Sequence, residues 1–113
     1  MVASQQKEVC SRYNTEWVAA DLGSKVGITT NARGNTFPLK GVRHIPAADT
    51  TGWYIYAGDK TSQDSDWYKP LHVEHLREFC PMVLKYLGLP PGWGFVVAPG
   101  YEDVWEDKTF LVK

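Results

Sequence analysis

A chain of 113 residues with 43% hydrophobic and 22% charged side chains and a formal net charge of -1 reads as one soluble globular domain. That balance excludes a disordered chain, and a pI near 6.3 lies far from the basic footprint of a nucleic-acid binder. Size scaling buries about two-thirds of the unfolded surface, enough for one core without metal or disulfide.

In chain order, residues 1–13 are polar and irregular and are predicted as a flexible arm or a short frayed helix, with 14–113 as a single domain. Thr15 is read as the N-cap of a helix over Glu16 to Leu22 that Gly23 ends. Lys25 to Thr30 is a predicted strand, and Asn31 to Asn35 a turn-rich loop. A further strand over Phe37 to His44 is expected to be interrupted at Pro38 and Gly41. Trp53 to Ala57 carries the clearest strand signal, apolar at both parities and bracketed by Gly52 and Gly58, which predicts a central place in the sheet.

Asp59 to Trp67 is polar and aperiodic, an expected exposed loop. From His72 to Gly88 the spacing turns helical, with Val73, Leu76, Phe79, Cys80, Val83, Leu84 and Leu87 on one stripe. Pro81 lacks an N–H and is expected to kink that helix or to start a second one. Trp93 to Ala98, the turn Pro99-Gly100 and Tyr101 to Trp105 form a predicted hairpin, and Asp107-Lys108 turns the chain into Thr109 to Val112. The order implies an α+β fold, a mainly antiparallel sheet with two or three short helices.

Cys10 and Cys80 lie far apart without a CxxC, and the N-terminal residues contain no apolar stretch of a signal peptide. Both features predict free thiols and a cytoplasmic protein, and no apolar run approaches the roughly 20 residues of a membrane span. His72 and His75 stand three apart, with Cys80 following, but no HExxH or second ligand pair accompanies them. No GxSxG, Walker or dinucleotide-binding pattern occurs either. The expectation is therefore a non-catalytic protein with no metal and no cofactor. The alternatives are a small metal- or thiol-dependent enzyme using His72, His75 and Cys80, or a housekeeping adaptor.

Charge is segregated. Lys25 to Arg43 holds four basic residues and no acid, whereas Glu102, Asp103, Glu106 and Asp107 form an acidic stretch around Trp105. Asp64 and Asp66 flank Trp67 and Tyr68 in the same way. Aromatic anchors beside carboxylates suit a protein interface that steers a basic partner. Asp64, Asp66, Trp67, Tyr68, Glu102, Asp103, Trp105, Glu106 and Asp107 are the candidate binding residues. The carboxylates are expected at the surface, and the alternative for Trp67, Tyr68 and Trp105 is that they pack into the core.

Five blocks follow one another along the chain: Gly52 to Gly58, Pro70 to Leu76, Cys80-Pro81, Tyr86 to Trp93, and Tyr101 to Trp105. In that order they resemble the bacterial immunity-protein 33-like family over about Leu22 to Leu111. The resemblance implies a small cytoplasmic protein encoded beside a polymorphic toxin, which it binds and neutralises, and it brings no catalytic residues.

Overall fold

The computed structural model describes residues 2–29, 32, 37–46, 50–58 and 68–111. Helix α1 (Val2–Arg12) is followed by strands β1 (Lys25–Ile28), β2 (Leu39–Arg43), β3 (Thr50–Ala57) and β4 (Lys69–His72). A broken helical stretch comes next, a 3-10 turn Val73–His75, helix α2 (Leu76–Phe79) and a 3-10 helix Pro81–Tyr86. Strands β5 (Trp93–Ala98) and β6 (Tyr101–Glu106) and a 3-10 turn Lys108–Leu111 complete the chain. Among the described residues, one sheet holds six strands in the order β4-β1-β3-β2-β5-β6, and only β1 and β3 run parallel. The α+β, mainly antiparallel architecture is the expected one, and β3 is flanked on both sides.

Strand alternation divides the sheet into two faces. Val26, Ile28, Leu39, Trp53, Ile55, Ala57, Phe95, Val97 and Val104 are buried on the inner face, against the helices. Tyr86 stacks on Phe95 with ring centroids 4.7 Å apart, and the Trp53 indole donates to Leu87 O at 3.1 Å. Gly41 sits opposite Phe95 and Ile55, and the Phe95 ring occupies the space a Cβ would take. That glycine keeps β2 continuous where interruption was expected, because the ring replaces its missing side chain.

Of the two readings of residues 1–13, the helix forms and the arm does not, and it is packed at its buried stripe. Gln6, Val9 and Cys10 are buried on one stripe of α1, which packs on Pro81–Tyr86. Two apolar residues are too faint a periodic signal to read alone; the partner surface completes the helix. Asn14, at φ 63, ends it in the left-handed region that asparagine tolerates.

The predicted helix over 16–22 does not form. Val18 N–H donates to Gly88 O at 2.8 Å, and the carbonyls of Val18 and Ala19 accept from the Arg43 guanidinium at 2.8 and 3.5 Å. Tertiary hydrogen bonds take the groups a helix would use, and propensity yields. Arg43 ends the basic stretch read from the sequence, yet unlike a solvated surface charge it is only 3% exposed. It also donates to the carbonyls of Thr51, Leu87 and Leu89, and burial lowers its pKa to about 10. The loop Asn31–Asn35, apart from buried Ala32, and the loop 59–67 lie outside the described residues.

Candidate functional site

The register of β5 and β6 sorts the acidic stretch. Tyr101, Asp103 and Trp105 face Ala98, Val96 and Gly94, whereas Glu102, Val104 and Glu106 face Val97, Phe95 and Trp93. Phe95 and Val97 belong to the core, so Asp103 and Trp105 project from the outer face and Glu102 projects inward. Asp103 and Glu106 are exposed, and the half-buried Trp105 indole lies against Gly94. The four acids are therefore not one patch.

Glu102 is the centre of a polar knot. Its Oε2 accepts from Arg12 Nη1 at 3.0 Å and from the Tyr13 hydroxyl at 2.9 Å, and its Oε1 accepts from the Tyr86 hydroxyl. Lys85 Nζ stands 3.9 Å from the same oxygen. Burial works against the charge, but the two tyrosine hydrogen bonds and the Arg12 and Lys85 cations outweigh it and hold the carboxyl below its usual range. Burial, reinforced by Glu102, correspondingly pushes the Tyr13 and Tyr86 hydroxyls up. Glu102 thus joins the end of α1, the Pro81–Tyr86 helix and β6, whereas the acidic stretch was expected to be solvated throughout. The knot borders a groove of about 540 Å³ whose lining includes Arg12, Met82, Lys85 and Tyr101.

Asp107 has a local task. Its Oδ1 accepts from the Thr109 N–H at 2.9 Å and the Thr109 hydroxyl at 2.6 Å, which lowers its pKa and starts the Lys108–Leu111 turn.

Tyr68 belongs to a second patch. Five inter-strand spacings, about 24 Å, separate the β4 and β6 ends of the sheet, so Tyr68 and the acidic strand occupy opposite edges. Tyr68 packs edge-on against Tyr54 and Tyr56, with centroids 5.2 and 6.4 Å away, and Tyr54 meets His44 at 5.3 Å. Burial, with Tyr56 and Tyr54 adding to it, pushes the Tyr68 hydroxyl up to about 12. Tyr54 remains 41% exposed. Asp64, Asp66 and Trp67 lie outside the described residues. His44, Tyr54 and Tyr56 were absent from the sequence-derived site, although the alternation across Trp53 to Ala57 places both tyrosines on the face opposite Trp53.

The histidines and Cys80 do not converge. His72 ends β4 and His75 is exposed, their ring centroids 6.0 Å apart, while Cys80 is buried. Burial pushes the Cys80 thiol up, away from the thiolate a nucleophile needs, and Cys10 is shifted the same way. Both cysteines are free. Among the described residues, no three His, Cys, Asp or Glu side chains are grouped to hold a metal ion, and no helix is long and apolar enough to cross a membrane.

A family model described as the Imm33-like domain matches residues 5–107, nearly the whole chain. Comparisons with curated proteins and with solved structures returned no match.

Proposed function

The chain belongs to the Imm33-like domain family, and from that premise we propose that it binds and neutralises a cognate bacterial toxin in the cytoplasm, without catalysis of its own. The observation that carries this reading is the division of labour along β6. Glu102 is committed to holding the strand, while Asp103 and Glu106 are exposed beside Trp105. A rigid strand bearing free carboxylates and an aromatic anchor suits a basic partner. In this reading Asp103, Trp105 and Glu106 meet the toxin, and Glu102 and Asp107 hold the strand and its following turn in shape. Tyr68 is a second contact at the far edge, and Asp64, Asp66 and Trp67 are proposed as toxin-contacting residues from the sequence alone.

The test is co-expression with the toxin encoded by the adjoining reading frame, using Asp103→Lys with Glu106→Lys. Protection should be lost and association slowed, with thermal unfolding unchanged. Wild-type on-rates should fall with salt, since the Debye length shrinks from about 10 Å at 0.1 M to 3 Å at 1 M. Full protection by the reversed protein, with salt-independent on-rates, would place the interface elsewhere.

A further inference from the structure

Hydrogen bonds at the strand ends set the backbone phase of β6. Hydrogen-bonded pairs alternate with non-bonded ones along an antiparallel ladder. Asp107 N–H donates to Gly92 O at 2.6 Å, while the Gly92 N–H turns to Arg43 O. The bonds His44 N–H to Gly52 O and Gly58 N–H to Pro38 O set the same phase across β2, leaving Gly94, Val96 and Ala98 of β5 to bond β6. The register then assigns the ladder bonds to Trp105, Asp103 and Tyr101, opposite Gly94, Val96 and Ala98. The two-residue turn Pro99-Gly100, with Gly100 at φ 74, closes on the Ala98–Tyr101 pair and agrees with that phase. The N–H and C=O groups of Glu102, Val104 and Glu106 therefore point away from β5. Among the described residues, β6 borders no other strand on that side.

The opposite edge differs. Strand β4 has four residues, and Pro70 among them carries no N–H, a common way of blunting an edge. Strand β6 has six residues and no proline, and Glu102 ties it to α1 and to the Pro81–Tyr86 helix. Among the described residues it is a long, braced edge with no strand beyond it.

We propose that β6 receives an extended segment of a basic toxin by strand addition, the incoming main chain bonding to Glu102, Val104 and Glu106. The proposal rests on the toxin-binding reading and specifies its mode. Charge selects the occupant: an added strand carries side chains beside Asp103 on one face and Glu106 on the other, where Lys or Arg is favoured. A second copy of this chain is disfavoured, because antiparallel pairing of β6 with itself about Val104 sets Glu102 against Glu106.

Amide hydrogen exchange of the full chain, with and without the toxin encoded by the adjoining reading frame, tests this. Addition of toxin should slow exchange at Glu102, Val104 and Glu106 and leave Tyr101, Asp103 and Trp105, already bonded inside the sheet, little changed. Glu106→Pro removes an outward donor without removing a ladder bond, and should weaken toxin binding about tenfold more than Glu106→Gln, which removes the charge alone; that difference is the scale of one hydrogen bond. If wild type binds toxin while those three amides exchange as before, strand addition is wrong and toxin binding stands, whether or not Glu106→Pro folds. If wild type does not bind the toxin, both readings fall. If the same alternating protection appears in the protein alone as its concentration rises, the occupant is a second copy and the basic partner is wrong.

Discussion

The inner and outer faces of the sheet are built from alternating residues of the same strands, yet they use polar groups in opposite ways. On the inner face Arg43 and Glu102 are surrounded by fixed partners, five carbonyls for one and two hydroxyls with two cations for the other. On the outer face Asp103 and Tyr54 keep exposed surface, and the Trp105 indole lies against Gly94. Glu102 and Asp103 are adjacent in the chain and have nothing else in common. The difference teaches that charge along a strand must be read by parity before it is read as a patch.

The largest expected contrast lies between Trp53 and Tyr54. Trp53→Ala removes a 1% exposed indole and its bond to Leu87 and should cost about 3–5 kcal/mol. Tyr54→Ala should cost about 1 kcal/mol or less, closer to a surface change. Urea unfolding measures both, and equal costs would mean that the outer face also carries core weight.

Glycines sharpen the comparison at a middle scale. In Gly41→Ala the new Cβ meets the buried Phe95 ring, which has nowhere to move, and the cost should be about 1–3 kcal/mol. In Gly27→Ala it meets Tyr54 at 2.9 Å, a ring that is 41% exposed and held at its edges by His44 and Tyr68, so the loss should be smaller, about 1 kcal/mol. Chemical denaturation of both variants separates a locked face from a yielding one.

The smallest effect concerns the adjacent acids. Glu102→Gln should cost about 1–2 kcal/mol through its charged hydrogen bonds, whereas Asp103→Asn should stay within about 0.5 kcal/mol. The pH dependence carries a sign. Glu102 titrates in the folded protein below its ordinary value of 4.5, so the unfolded chain binds the proton first. Its stabilisation is complete above that value and is lost as pH falls through the folded pKa. Stability measured from pH 6 downward should therefore fall less steeply in Glu102→Gln than in wild type, and an unchanged slope would remove Glu102 from the knot.

Much of the fold was legible because it rests on local pattern. Val26, Ile28, Trp53 and Ile55 announce their strands by residue type, the β5–β6 hairpin by Pro99-Gly100, and the break before the Pro81–Tyr86 helix by its proline. Strand β4 was missed because Lys69-Pro70-Leu71-His72 is short, polar and proline-bearing, and pairing with β1 alone makes it a strand. The packing of helix α1 and the extended segment after it were missed for a related reason. Gln6 donates to Leu84 O at 2.9 Å and accepts from the Trp17 indole at 3.0 Å, contacts between residues up to 78 positions apart that no periodicity records. Of the candidate site, the residue types were legible and the grouping was not. Tyr68 and Trp105 look alike in sequence and stand at opposite edges of the sheet.

By itself, then, the sequence determined a single α+β domain with a central aromatic strand, two free thiols and the ordered blocks of its family, because burial and turn chemistry act over a few residues at a time. Only the tertiary structure decided which charges remain available. Whether a carboxylate is solvated or enclosed depends on what other elements bring to it: Arg12 and Tyr13 reach Glu102 across about ninety positions of chain, while nothing described reaches its neighbour Asp103 in the same way. Long-range pairing, with the two-residue period of the strand, turned one acidic run into an internal brace and an outward-facing charge.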